Sequence, residues 1–108
     1  MRWTTNLLIL VGCLLGLTAN GAPVAPLWID VRTPEEYAAG HLEFAINLPL
    51  ANIAADIRAA EPDKNRPIKL YCGVGVRAQQ AKLTLEAQGY REVTNEGGYA
   101  DLARGGQK

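Results

Sequence analysis

The stretch Ile68-Lys69-Leu70-Tyr71-Cys72-Gly73-Val74-Gly75-Val76-Arg77 decides the fold. Ile68 to Tyr71 is a short apolar run of the length expected for a buried strand. Cys72 follows directly, two glycines let the backbone curl, and Arg77 opens a helical pattern that runs to about Gln88. A thiol at the carboxyl end of a strand then faces the N-terminus of the next helix. Backbone N–H groups and the helix dipole favour an anion there. That setting favours the thiolate, which is the nucleophilic form. Cys72 is therefore the candidate nucleophile, and Gly73, Val74, Gly75, Val76 and Arg77 form the candidate binding loop. The glycines permit successive N–H groups to point inward as an anion nest. Arg77 adds a planar fork of donors suited to an oxyanion. A blander reading exists, because free cysteines are often simply buried at strand ends. The conjunction of Cys72 with Gly73, Gly75 and Arg77 favours chemistry over packing.

Elements alternate on either side of this unit. Leu27 to Val31 is a strand candidate that runs into Asp30-Val31-Arg32. Thr33-Pro34-Glu35-Glu36 is a helix start, with Thr33 as N-cap, Pro34 at the first helical position and Glu36 completing a capping box. That helix stops at Gly40, and His41 to Ile46 leads into a second short strand broken by Asn47-Leu48-Pro49. Leu50 to Ala60 is a helix with Ile53 and Ile57 on one face. A polar, proline-bounded loop, Glu61 to Pro67, precedes the cysteine strand. The helix after Cys72 carries Ala78, Ala81, Leu85 and the Lys82 stem inward and ends at Gly89. Tyr90 to Thr94 is the last strand, with Val93 in the core, then a turn at Asn95-Glu96-Gly97-Gly98 and a final helical turn from Tyr99 to Ala103. Strands alternating with helices predict an α/β fold with a mainly parallel central sheet flanked by helices. Ligands of such sheets bind beyond the carboxyl ends of the strands, where both Cys72 and the Asp30–Arg32 segment fall.

The 108 residues carry eleven basic and eleven acidic side chains and allow one domain. That balance predicts no nucleic-acid partner. Residues 1–21 read as a signal peptide: Arg2 supplies the positive start, Leu7 to Leu17 is uncharged and apolar, and Ala19 and Gly21 are small residues before a cleavage point. The apolar segment is short for a membrane span, so no stable span is expected in the mature form. Export to the periplasm follows, with lipid anchoring at Cys13, in Leu10-Val11-Gly12-Cys13, as the minority alternative. Residues 22–26 read as a tether, 27–103 as the domain and 104–108 as a polar tail. Removal of residues 1–21 leaves Cys72 as the sole cysteine, so an internal disulfide is excluded and a reactive thiol is favoured. No His/Cys/Asp/Glu cluster points to a metal site. His41 reads as a helix-end hydrogen-bonder, and Trp28 and Tyr37 as core aromatics.

Four residues, Gly73 to Val76, separate Cys72 from Arg77, one fewer than in the loops of cysteine phosphatases. Phosphate chemistry is therefore disfavoured. The chain resembles the rhodanese (sulfurtransferase) domain, above all its small, exported single-domain members. The resemblance rests on Asp30 to Leu42 with Ala45 to Pro49, on the Cys-x-x-Gly-x-Arg loop Cys72 to Arg77, and on Glu96-Gly97-Gly98-Tyr99. It departs from the family at Phe44, where glycine is usual before Ala45. The resemblance implies a thiosulfate or other sulfane-sulfur donor, a persulfide on Cys72, and a cyanide, thiol or dithiol acceptor, a thioredoxin-like protein among them. It implies no organic cofactor. Asp30 and Arg32 would lend electrostatic support, although a structural ion pair between loop and sheet is the favoured reading. The alternative function is a sulfur carrier or redox-interaction module loaded by a protein partner, which the expectation of an open, accessible thiol suits; a purely structural domain would leave the cysteine nest unexplained.

Overall fold

A computed structural model of the chain describes residues 24–105. The expected export segment, Cys13 and residues 106–108 of the tail lie outside the described residues. Among the described residues four strands and four helices alternate: β1 Leu27–Asp30, α1 Pro34–Ala39, β2 Ile46–Asn47, α2 Leu50–Ala60, β3 Ile68–Cys72, α3 Val76–Ala87, β4 Val93–Gly98 and α4 Tyr99–Ala103. The strands form one sheet in the order β2-β1-β3-β4, and every pairing is parallel. The α/β fold with a parallel sheet is thus the one expected.

Parallel strands point their carboxyl ends the same way, so the loops after β1 and β3 meet at one edge. Side chains alternate across the sheet. Ile29, Val31, Ile68, Leu70 and Cys72 face one side, where Ile53 and Ile57 of α2 and Ala78, Ala81 and Leu85 of α3 close a buried core. Tyr71 faces the other side, with Ala45 and Leu102, and with Trp28, Leu42 and Tyr99 packed around them.

The capping box at α1 forms as read: Glu36 N–H donates to Thr33 Oγ1 at 3.2 Å, and Thr33 N–H donates to Glu36 Oε1 at 3.0 Å. His41 Nδ1 lies 2.8 Å from the Tyr37 carbonyl, and its ring stacks on that of Tyr37. Phe44 sits in a turn closed by Ala45 N–H to Leu42 O at 2.9 Å. It is largely exposed, with its ring set edgewise to Trp28 at 5.3 Å.

One element departs from expectation. The last strand begins at Val93 rather than Tyr90, and it continues through Asn95–Gly98, the segment read as a turn. Residues 90–92 are held otherwise: Tyr90 is buried with its hydroxyl donating to Glu61 O, and Arg91 N–H donates to Lys64 O. The glycines make a bulge instead of a turn. Leu70 pairs with Asn95, but Cys72 pairs with Gly98, so β4 carries one extra residue across that interval. Bulges are common beside active sites, where they re-aim the strand.

Candidate active site

Cys72 ends β3, and its sulfur is buried, with only 1 % of the residue exposed. The open thiol expected from the glycine-rich loop is therefore not found. The loop folds back over the sulfur instead: Gly75 N–H donates to Cys72 Sγ at 3.0 Å and Ala78 N–H at 3.4 Å. Helix α3 has no side-chain N-cap of the usual kind. Its first N–H groups would lack partners, and the sulfur fills that role. A sulfur anion there receives two backbone donors and the positive end of a twelve-residue helix. Gly75 makes this possible, since its φ of 101° lies in the region favourable only to glycine.

The loop is held from β4. Asn95 Nδ2 donates to Gly75 O at 2.9 Å, and Asn95 Oδ1 accepts from Gly97 N–H at 2.9 Å. Gly98 packs its backbone against the loop so closely that a Cβ there would lie 2.4 Å from Gly73 O. The sequence reading missed Asn95 and Gly98 as site residues, because it assigned them to a turn. The Gly97-Gly98 pair was the available signal.

Arg77 lies over the loop, with Nη2 3.2 Å from where a Cβ on Gly73 would be. Its fork is engaged by Glu36, Nη1 donating to Oε1 at 2.8 Å and Nη2 to Oε2 at 3.1 Å. The hydrogen bonds to Arg77, then those from Thr33, hold the Glu36 carboxyl down at about 2. The same contact raises the Arg77 guanidinium further above its ordinary range. Glu36 was read only as a capping residue; its second partner is 41 positions away in the chain.

Val74 and Val76 point outward, 83 % and 68 % exposed. A cleft of about 640 Å³ beside them is lined by Gln79, Asn95 and Glu96 among others. A second cleft, of about 470 Å³, lies between the ends of β1 and α2, with Pro34, Leu50 and Arg77 in its walls.

Asp30 and Arg32 form a buried ion pair, with Arg32 Nη2 2.7 Å from Asp30 Oδ2. Arg32 also donates to Gly40 O at 2.7 Å and lies over the Tyr99 ring at 4.5 Å. Asn47 Nδ2 donates to the carbonyls of both residues, at 2.9 and 3.0 Å. The pair thus belongs to the Tyr71 side of the sheet and ties β1, β2 and α1 together. Neither side chain is a hydrogen-bond partner of Cys72 Sγ, whose donors are the Gly75 and Ala78 N–H groups. Among the described residues, no group of His, Cys, Asp and Glu is arranged to hold a metal ion, and no helix is long and apolar enough to cross a membrane.

Comparison with known proteins agrees with this fold. The family model of the rhodanese-like domain matches residues 13–104. The chain is 47 % identical over 76 residues to the thiosulfate sulfurtransferase PspE of Escherichia coli, covering 70 % of this chain and 73 % of that protein. It is 42 % identical over 81 residues to a sulfurtransferase of Allochromatium vinosum, covering 74 % of each. A solved structure of a rhodanese with anions from E. coli superposes with a TM-score of 0.70 at 47 % identity, over 73 % of this chain and 93 % of that one.

Proposed function

This chain belongs to the rhodanese-like family, and on that premise we propose that it is a thiosulfate sulfurtransferase working through a persulfide on Cys72. The observation that carries this reading is the pair of backbone N–H groups aimed at Cys72 Sγ from the start of α3. In the first half-reaction the Cys72 thiolate attacks the outer sulfur of thiosulfate. The S–S bond to the sulfonate breaks, its electron pair leaves with sulfite, and Cys72 becomes a persulfide anion. In the second, cyanide or a thiolate attacks that outer sulfur, thiocyanate or a new persulfide departs, and the Cys72 thiolate returns. No organic cofactor or metal is called for, because both steps are displacements at sulfur. Two half-reactions with a covalent intermediate imply ping-pong kinetics.

Preorganised donors stabilise the sulfur anion in both resting states, and the outer sulfur takes up the remaining loop N–H groups of residues 73–77. Because Cys72 is covered, the donor's outer sulfur must enter past Gly73 and Val74 at the loop mouth. Arg77 orients the anionic donor there. Asp30 and Arg32 act at a distance, by fixing the end of β1. Export to the periplasm is part of the same proposal, on the pattern of residues 1–21.

A second reading, loading or unloading by a thioredoxin-like protein, draws support from the exposed Val74 and Val76 beside the mouth. One experiment tests the main reading: intact mass of the exported protein before and after thiosulfate, alongside turnover to thiocyanate. The wild type is expected to gain one sulfur and turn over, while Cys72→Ser does neither and keeps its melting temperature. Equal turnover by both proteins would sink the proposal. Loading that needs a partner protein would favour the second reading, and the same mass reports cleavage after Gly21 or a lipid on Cys13.

A further inference from the structure

We propose that Glu36 is a specificity-determining residue: it is the resting counter-charge of Arg77, and an anionic sulfur donor must displace it to bind. The inference rests on the sulfur-transfer reading above. Its starting point is a shortage of positive charge. Among the described residues, Arg77 is the sole cationic side chain lining either of the two clefts that flank the cysteine loop. Both of its terminal nitrogens are engaged by Glu36, at 2.8 and 3.1 Å.

Glu36 is not a loose surface carboxylate that happens to lie near. Its Oε1 also accepts from Thr33 N–H at 3.0 Å and from Thr33 Oγ1 at 3.1 Å, which fixes it at the first turn of α1 independently of Arg77. The N-termini of α1 and α3 are thereby bridged by the Glu36–Arg77 pair. A dianion such as thiosulfate that reaches Arg77 meets a fixed negative charge on the same guanidinium. At a water-like dielectric and about 7 Å, repulsion between a dianion and one carboxylate corresponds to about a five- to tenfold loss of affinity. Glu36 therefore raises the concentration at which small multivalent anions occupy the site. Donors with a single charge suffer about half that penalty in free energy, so the residue sets a preference by charge.

Glu36→Gln separates this role from a structural one. Glutamine completes a capping box as glutamate does, so α1 keeps its cap while the counter-charge is removed. Thiosulfate binding is measured by calorimetry on Cys72→Ser and on Cys72→Ser/Glu36→Gln, at low and high ionic strength, and KM and kcat on wild type and Glu36→Gln. The expected result is about five- to tenfold tighter thiosulfate binding and an equal fall in its KM. The gain should shrink at high salt, a response that loss of a merely structural contact would not give. A second measurement needs no substitution at Glu36: saturating thiosulfate on Cys72→Ser should shift the Glu36 carboxyl resonance as Arg77 is withdrawn. Unchanged or weaker binding by the glutamine variant, no binding by either protein, or an unmoved resonance would each overturn the proposal. Failure of the enzymatic reading looks different: wild type would not turn over thiosulfate, yet the two Cys72→Ser proteins would still rank thiosulfate affinity.

Discussion

At Glu36 a single carboxyl oxygen accepts from Thr33 N–H, Thr33 Oγ1 and Arg77 Nη1. Such crowding is tolerated only by the charged form, and the carboxyl titrates at about 2 instead of its ordinary 4.5, chiefly because of Arg77 and then Thr33. The direction of the linkage follows. A carboxyl lowered in the folded state contributes its stabilisation fully above the unfolded value and loses it as pH falls through the folded one. The pair is therefore intact at every pH from about 5 upward, and any pH dependence of sulfur transfer in the neutral range must come from another group. Because both side chains are more than a third exposed, the contribution to global stability is small. Carboxyl NMR checks the assignment: the Glu36 midpoint should sit at about 2 in the wild type and move well up in Arg77→Met, yet stay below 4.5 while Thr33 still donates. An identical midpoint in the two proteins would show that Arg77 is not the cause.

The meeting of β4 with the cysteine loop is an affair of whole elements. Gly98 has φ −111° and ψ 149°, ordinary extended values, so glycine is required there for space and not for conformation. A Cβ would lie 2.4 Å from Gly73 O and 3.1 Å from Val74 Cα. Both obstacles are backbone, so Gly98→Ala must push the loop away from Cys72. Overpacking of this kind costs about 1–3 kcal/mol, and the displaced N–H groups no longer converge on the sulfur. Thiosulfate turnover should fall by at least tenfold while the protein still melts cooperatively; full activity in Gly98→Ala would mean the loop does not depend on β4. Position 98 also marks where sequence reading ran out. Cys72, Gly75 and the helix start were legible because an apolar strand, a glycine turn and a helix with Ala78, Ala81 and Leu85 on its buried side leave local patterns. The Thr33–Glu36 cap was legible for the same reason. The bulge was not, because Asn95-Glu96-Gly97-Gly98 has turn composition, and only pairing with β3 makes it a strand. The Glu36–Arg77 contact was hidden by its separation of 41 positions, and the covered state of the sulfur by a loop whose glycines suggested openness.

Across the whole molecule the sheet separates stability from chemistry. Helix α2 starts beside β1, where Leu50 N–H donates to Val31 O at 3.0 Å. It then runs back to Glu61, whose carbonyl accepts from Tyr90 just ahead of β4. Ile57 thus fills the core near the amino ends of the strands, fully buried, while the sulfur chemistry sits at the carboxyl ends. A domain of this size is stable by only about 4–12 kcal/mol, and truncation of a buried isoleucine costs about 2–5 kcal/mol. Ile57→Ala should therefore remove a large share of the stability. The urea midpoint should drop with an unchanged slope, and kcat per folded molecule should stay at the wild-type value below the transition. Gly98→Ala predicts a different balance: its stability cost of about 1–3 kcal/mol comes with a fall in kcat per folded molecule, which Ile57→Ala should not show. If Ile57→Ala instead lowered kcat before any unfolding, the cysteine loop would have to sense packing through α2, and the two ends of the sheet could not be treated as independent.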